Sequence, residues 1–344
     1  MSGKSVLLIY TGGTIGMVKD PETDQLKPFD FEGIMNQVPE VKRFAYSIDT
    51  VSFGKPIDSS NMGPKMWVKL AKIIEDNYDK YNGFVILHGS DTMAYTASAL
   101  SFILENLSKP IILTGSQLPI GTLRTDGKEN LITSIQIAGD TNNTYPIVPE
   151  VGIYFEYQLY RGNRTTKVNS EHFHAFESYN YPKLAQAGIE IKYNYKFLRS
   201  VTSLRPKILH VSENMNPNVG ILKLFPGITK SHIKHFFDTP DLVAVVMETY
   251  GSGNAPSEEW FLEALKYGID KGLIITNITQ CQAGHVRQGH YETSSGFASL
   301  GVLSGRDMTT ETAVTKLMYL FGKYEDKDEI RQKFSVSICG ELSL

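Results

Sequence analysis

Only two cysteines, Cys281 and Cys339, occur among the 344 residues, too few and too late in the chain for the disulfide framework of a small secreted domain. A reducing compartment fits. Positive charge is not in excess either: 34 Lys and Arg against 37 Asp and Glu leave a net charge of -3. The basic residues are scattered rather than gathered into a stripe, which argues against a nucleic-acid partner. No apolar run approaches the roughly 20 residues that span a bilayer. The amino-terminal run Val6–Tyr10 is too short for a signal-peptide core and has no cleavage site after it, so we expect a cytoplasmic protein with no membrane contact. Repeats of fixed period and low-complexity tracts are missing as well. What remains is an ordinary globular chain. Its hydrophobic share of 41% can build cores without a metal or disulfide staple, and its length suits about two domains. A small polar molecule is the natural partner.

The most organised stretch comes first. Val6-Leu7-Leu8-Ile9-Tyr10 reads as a buried strand that runs into the tight loop Thr11-Gly12-Gly13-Thr14-Ile15-Gly16. In open α/β sheets ligands bind at the carboxyl ends of strands, because side chains within the strands fill the core. Thr14 is therefore the first candidate for a reacting hydroxyl. The segment from Met17 to Pro28 is polar and without period, a surface stretch suited to a lid. After a loop at Ile57–Pro64, Pro64 opens a helix expected to continue from Met66 to Tyr78.

The strand, polar loop and helix arrangement then recurs. Gly83–Leu87 is a strand that leads into His88-Gly89-Ser90-Asp91-Thr92 and a helix from about Met93 to Leu107. Ile111–Leu113 leads into Thr114-Gly115-Ser116-Gln117, and Asp126 with Glu129 reads as a capping box at the next helix start. Val151–Phe155 is a further strand, followed by the turn-prone Tyr160–Asn169, which carries Lys167. From about Tyr193 to Glu213 the pattern degrades, and the alternation restarts at Val219. Strands are expected at Val219–Leu224, Leu242–Met247 and Leu273–Thr276, and helices at Ser257–Tyr267 with Ser257 as cap, at Glu311–Phe321 and at Lys327–Phe334. Such alternation implies parallel βαβ units with right-handed crossovers. We expect an α/β protein of two domains, each a parallel sheet flanked by helices: residues 1–192, a connection over 193–213, and residues 214–344.

Each candidate has a plain reading beside the chemical one. The glycine loop lacks the Gly-Lys-Ser/Thr of a phosphate loop and the spacing of a dinucleotide fingerprint, so its alternative is a tight turn. Ser90 and Asp91 are favoured cap residues before a helix, and Lys167 is by default a solvated surface lysine. Ser59, Ser60 and Asn254 are common turn residues. His172 and His174 stand two apart but no second ligand pair accompanies them, so no metal site is expected. The set says more than its members. A hydroxyl is a weak nucleophile that needs a neighbouring base or charge, and Ser90, Asp91 and Lys167 are parts for that task near Thr14.

Together, Tyr10-Thr-Gly-Gly-Thr-Ile-Gly16, His88-Gly-Ser-Asp-Thr-Met93, Thr114-Gly-Ser-Gln117 and Arg161-Gly-Asn-Arg-Thr-Thr-Lys167 resemble the bacterial L-asparaginases, and their cytoplasmic type I branch most closely. The resemblance extends through Tyr250-Gly-Ser-Gly-Asn-Ala-Pro256 and Asn277-Ile-Thr-Gln-Cys281, nearly the whole chain. It implies a larger, flavodoxin-like amino-terminal domain and hydrolysis of L-asparagine to L-aspartate and ammonia with no metal or cofactor. It also implies a homodimer or homotetramer whose active sites lie at the subunit interface. By position, Thr14 resembles the family's nucleophile, and Ser90, Asp91 and Lys167 its hydroxyl, acid and lysine triad. Ser59, Ser60 and Asp91 would hold the amino acid's charged groups, and Asn254 would reach the substrate from the partner chain.

Three positions depart from that pattern. Ser90 stands where the family usually has threonine. Leu26 stands at the place of a lid tyrosine, and we expect Tyr291 to supply the phenol from the partner instead. Glu248 stands where some type I enzymes have an arginine that takes part in activation by asparagine; an acid there would repel the effector's carboxylate, so no activation is expected. Alternatives are a relaxed glutaminase-asparaginase, an amidase subunit acting on transfer RNA, whose usual extra amino-terminal domain is not seen before the first strand, and a silent amino-acid-binding sensor.

Overall fold

The computed structural model describes residues 4–19, 26–28, 37–200, 208–287 and 292–343, and the chain divides into two compact units, Met1–Val211 and Ser212–Leu344. The first unit opens with β1 (Ser5–Tyr10), the hairpin of β2 (Met17–Lys19) and β3 (Leu26–Pro28), and strand β4 (Ser47–Ser52). Then come α1 (Pro64–Asn77), β5 (Gly83–Leu87), α2 (Met93–Ile103), β6 (Leu104–Glu105), β7 (Ile111–Thr114) and α3 (Gly127–Gly139). A small ladder of β8 (Thr141–Asn142) and β9 (Tyr145–Pro146) precedes β10 (Val151–Phe155) and β11 (Gln158–Arg161). The short strands β12 (Thr166–Lys167), β13 (Phe176–Glu177), β14 (Ala185–Gln186), β15 (Lys192–Tyr193) and β16 (His210–Val211) complete the unit.

Its main sheet has eight strands in the order β15-β14-β11-β10-β7-β5-β1-β4. The five from β4 to β10 pair in parallel. Numbered by their succession along the chain, they lie in the order 2-1-3-4-5, the flavodoxin-like winding. β1, β5, β7 and β10 are near-continuous apolar runs because helices cover both faces of a parallel sheet. α1 buries Trp67, Leu70, Ala71 and Ile74, the stripe that a 3.6-residue period places on one face. The register sets Tyr10 beside Leu87 and Leu87 beside Thr114, so the loops after β1, β5 and β7 leave the sheet at one level.

The second unit holds β17 (Val219–Lys223), α4 (Lys230–Phe237), β18 (Ala244–Thr249), α5 (Glu259–Asp270), β19 (Ile274–Thr279), α6 (Glu292–Leu300), β20 (Leu303–Ser304), α7 (Thr310–Lys323) and α8 (Lys327–Ser335). β17, β18, β19 and β20 form one parallel sheet in chain order. Its core includes Ile233, Phe237, Val245, Met247, Phe261 and Leu265. Lys316 of α7 is wholly buried and donates to Phe334 O, Val336 O and Glu341 Oε1 at 2.8, 2.7 and 2.6 Å. Three ammonium protons thus meet three acceptors, which ties the end of the chain to this core.

The expected alternation of strands and helices is present; the second unit's sheet is parallel as anticipated, and the main sheet is parallel from β4 to β10 but carries β11, β14 and β15 as antiparallel additions at one side. Several local expectations are corrected. The helix expected to reach Leu107 ends at Ile103, because residues 104–105 turn out to pair with β16. Asp126 makes no side-chain cap bond to α3; its carboxylate is taken by the loop before it. Ser257 does not cap α5, which starts after Glu258. β4 does not stand out in the sequence because it is an edge strand with little covered surface: only Ile48 and Val51 are partly buried, and the polar residues around them are exposed.

Candidate active site

A doubly wound sheet opens a crevice where its strand order reverses, at the carboxyl ends of the strands on either side. Here that point lies between β1 and β5, whose following loops carry Thr14 and Ser90-Asp91. The two loops are in contact. Gly12 and Gly13 have φ of +133° and +94°, a region glycine enters at no steric cost. A β-carbon on Gly13 would stand 2.5 Å from the Gly89 nitrogen, so the close approach also needs glycine. Thr14 then begins a single 3-10 turn, Thr14–Gly16, and is half-buried.

Thr11 ties the loops together. Its N–H and its hydroxyl both donate to Leu87 O, at 3.0 and 2.8 Å, and its own carbonyl accepts the Ile57 N–H at 2.8 Å. That last bond brings in the Ile57–Asn61 loop. Ser59 is buried there, and a β-carbon on Gly89 would stand 2.5 Å from its hydroxyl oxygen. The Thr92 hydroxyl donates to Ser59 O at 2.6 Å, closing the contact from the other side. Ser60 is exposed in the same turn, and its N–H and hydroxyl both donate to Asp58 Oδ1 at 2.9 Å.

Ser90 and Asp91 are not helix caps. Thr92 is the residue before α2, and no side chain caps that helix. Both residues instead meet Lys167, whose Nζ donates to Ser90 Oγ at 2.9 Å and to Asp91 Oδ1 at 2.7 Å. Lys167 is no surface lysine. Its side chain is 18% exposed, against 66% for Asp91, so the lysine is largely covered while the acid opens to solvent. The strand pair β12–β13 places it, Lys167 lying opposite Phe176, and the Arg161 side chain anchors the start of the same segment on Glu150.

Three further residues serve this loop cluster. The Ser90 hydroxyl donates to Gln117 Oε1 at 3.4 Å, and Gln117 Nε2 donates to His172 O at 3.0 Å. Asp126 accepts the N–H groups of Gln117 and Leu118 at 2.9 and 3.1 Å, which fixes the loop after β7. Burial pushes the Asp126 carboxyl above its usual value, an effect these N–H groups partly oppose. His88 is fully buried, and desolvation pushes its pKa down to about 4. Gln117 and His88 sat inside motifs already noted without being given a task. Asp126 showed a signal, its spacing to Glu129, that pointed to the wrong partner.

The chain matches the family model described as Asparaginase, N-terminal over residues 5–199 and the Glutaminase/Asparaginase C-terminal domain over residues 218–334. It belongs to the asparaginase family. L-asparaginase 1 of Escherichia coli (strain K12) is 41% identical, the alignment covering 100% of this chain and 99% of that one. L-asparaginase I from Vibrio cholerae superposes with a TM-score of 0.89 at 38% identity over the full length of both chains. The thermostable L-asparaginase from Thermococcus kodakarensis gives 0.88 at 30% identity, covering 98% of this chain and 99% of that one.

Against the asparaginase pattern, the remaining expected residues fall as follows. Tyr291 lies outside the described residues, and of Leu26 the structure describes the backbone, which pairs with Lys19 in the β2–β3 hairpin. Asn254 sits in the second unit, bridged to Tyr250 in a turn whose Gly251 and Gly253 have positive φ. Glu248 is buried in β18, where it accepts the Thr310 hydroxyl at 2.6 Å and stands 3.6 Å from the Lys223 amine. His174 stands between Glu156 and Glu177, at 3.0 and 3.1 Å. Among the described residues no group of three or more His, Cys, Asp or Glu is placed to hold a metal, and no helix is long and apolar enough to cross a membrane.

Proposed function

We propose that this chain hydrolyses L-asparagine to L-aspartate and ammonia with Thr14 as the nucleophile. The observation that carries the reading is Lys167 Nζ held between Ser90 Oγ and Asp91 Oδ1, on a loop packed against the glycine turn that presents Thr14.

The Thr14 oxygen forms a bond to the side-chain amide carbon, and the amide nitrogen leaves as ammonia with the proton the hydroxyl gives up. Water then cleaves the Thr14 ester, releasing the carboxylic acid and restoring the hydroxyl. Ser90 and Lys167 carry the proton between these steps. A proton carrier so positioned is worth on the order of a hundred-fold or more. Asp91 holds Lys167 from one side and, being largely open to solvent, binds the substrate's α-ammonium on the other; Ser59 and Ser60 receive its remaining polar groups. The β2–β3 hairpin is the lid. Asn254, and Tyr291 in place of the lid tyrosine, complete the site from a neighbouring subunit in a homodimer or homotetramer. Domain roles follow: residues 1–192 form the catalytic domain, residues 193–213 the connection, and residues 214–344 the smaller domain that carries Asn254.

Ammonia release from asparagine by the purified chain tests the reading, with Thr14→Ala as the decisive variant. Loss of turnover with retained asparagine binding supports it. Turnover unchanged in Thr14→Ala rejects the threonine mechanism, and binding without turnover in the unaltered chain favours a silent sensor.

A further inference from the structure

His88 lies at the carboxyl end of β5, buried beneath the loop that carries Ser90. Its hydrogen bonds follow one direction along a chain. An indole N–H only donates, so Trp67 Nε1 gives its proton to Thr96 Oγ1, at 3.0 Å. Thr96 Oγ1 also lies 2.9 Å from His88 Nε2. A carbonyl oxygen only accepts, so His88 Nδ1, 2.6 Å from Gly89 O, carries the ring proton and donates it there, which leaves Nε2 of the neutral ring to accept the Thr96 hydroxyl proton. The imidazole is thereby set as the neutral Nδ1–H tautomer, and neither ring nitrogen is left without a partner.

The consequence lies one atom further on. A trans peptide is planar, with its C=O and N–H on opposite sides. Holding the Gly89 carbonyl down against the buried ring turns the Ser90 N–H the opposite way, out of the core. Among the described residues that N–H meets no acceptor. We propose that His88 is a positioning residue: by clamping Gly89 O it holds the Ser90 N–H ready for the oxygen of the scissile amide as that oxygen gains charge. The proposal rests on the asparaginase reading above. It accounts for a fully buried histidine at the end of β5, and for a relay that begins at Trp67 in α1 and passes through Thr96 in α2.

Donors to a developing oxyanion act on the chemical step more than on substrate binding, and removing one costs about a hundred- to a thousand-fold. Thr96→Val keeps the side-chain shape but leaves Nε2 without its donor, so the tautomer and the clamp are no longer set. We expect kcat for asparagine to fall at least ten-fold with KM within about three-fold, and Thr96→Ser, which restores the hydroxyl, to recover most of the loss. A folded Thr96→Val enzyme with unchanged kcat, or one whose loss is all in KM, overturns the proposal. A second measurement needs no variant. In protein labelled with 15N-histidine, His88 should show the neutral Nδ1–H pattern from pH 8 to pH 5. The Nε2–H pattern or an imidazolium in that range rejects the clamp, whether or not the chain proves to hydrolyse asparagine. Absence of turnover in the unaltered chain would instead reject the asparaginase reading and leave this spectrum to be judged alone.

Discussion

Replacing Glu150 by glutamine removes one charge from a pair that has almost no contact with water. The side chains of Arg161 and Glu150 are 6% and 3% exposed, with Nε to Oε2 at 2.5 Å and Nη2 to Oε1 at 3.3 Å. The second carboxylate oxygen also takes the Arg199 N–H at 2.9 Å. Glutamine offers one acceptor where three donors converge, and its amide would present N–H to N–H. The guanidinium would keep Phe197 O at 2.9 Å and the face of the Tyr181 ring at 4.3 Å, neither of which cancels a charge. Breaking one side of a buried ion pair costs about 3–5 kcal/mol. For a unit of this size, about 2–4 °C of melting temperature is lost per kcal/mol, so Glu150→Gln should melt roughly 6–20 °C lower in calorimetry. The double variant Glu150→Leu/Arg161→Met removes both charges and should recover most of that. A loss under about 1 kcal/mol for Glu150→Gln, measured by urea titration, would show that water reaches the pair and that the Arg161–Lys167 segment is anchored elsewhere.

Other expectations follow from the same geometry. Lys167→Met should lower kcat by about a hundred-fold or more while the protein melts normally; ammonia release at saturating asparagine measures it, and activity near that of the unaltered chain would remove Lys167 from the mechanism. Gly13→Ala places a methyl 2.5 Å from Gly89 N at a φ of +94°, and should cost roughly 2–5 kcal/mol from crowding and backbone strain together, checked by denaturant titration. For His88, the unfolded chain takes up a proton near pH 6.5 that the folded one refuses until about 4. Stability is therefore lost as pH falls through that window, by roughly 3 kcal/mol in all; urea titrations at pH 7, 6 and 5 should show this slope, and His88→Asn should flatten it. Finally, with Glu248 rather than a cation at that place in β18, initial rates against asparagine should follow a simple hyperbola, and a sigmoidal curve would contradict this.

The parallel strands β1, β5 and β7 were legible because apolar runs of four to six residues ending in glycine-containing polar loops have few other uses. Thr14, Ser90 and Asp91 could be picked out for the same reason, since each follows such a run. Lys167 could not be picked out by local pattern alone. Nothing near it distinguishes a largely covered amine from a solvated one, and its partners lie 76 and 77 residues away. The caps misread at Asp126 and Ser257 show the limit of short spacings: the cap position of α5 is Glu258, one residue beyond Ser257, and the Asp126 carboxylate goes to the N–H groups of Gln117 and Leu118 that the fold brings closer.

Composition and pattern by themselves determined the class of the molecule: two α/β units, parallel sheets, and reactive hydroxyls at strand ends. Those features arise from local chain stiffness and from burial of apolar runs, both written in neighbouring residues. Which strand lies beside which was decided by tertiary structure, and with it the reversal of order between β1 and β5 that brings the Thr14 turn against Gly89. The direction of the Trp67, Thr96 and His88 relay was decided there too. Hydrogen bonds between residues many positions apart depend on packing whole layers together, and no local stretch of sequence carries that information.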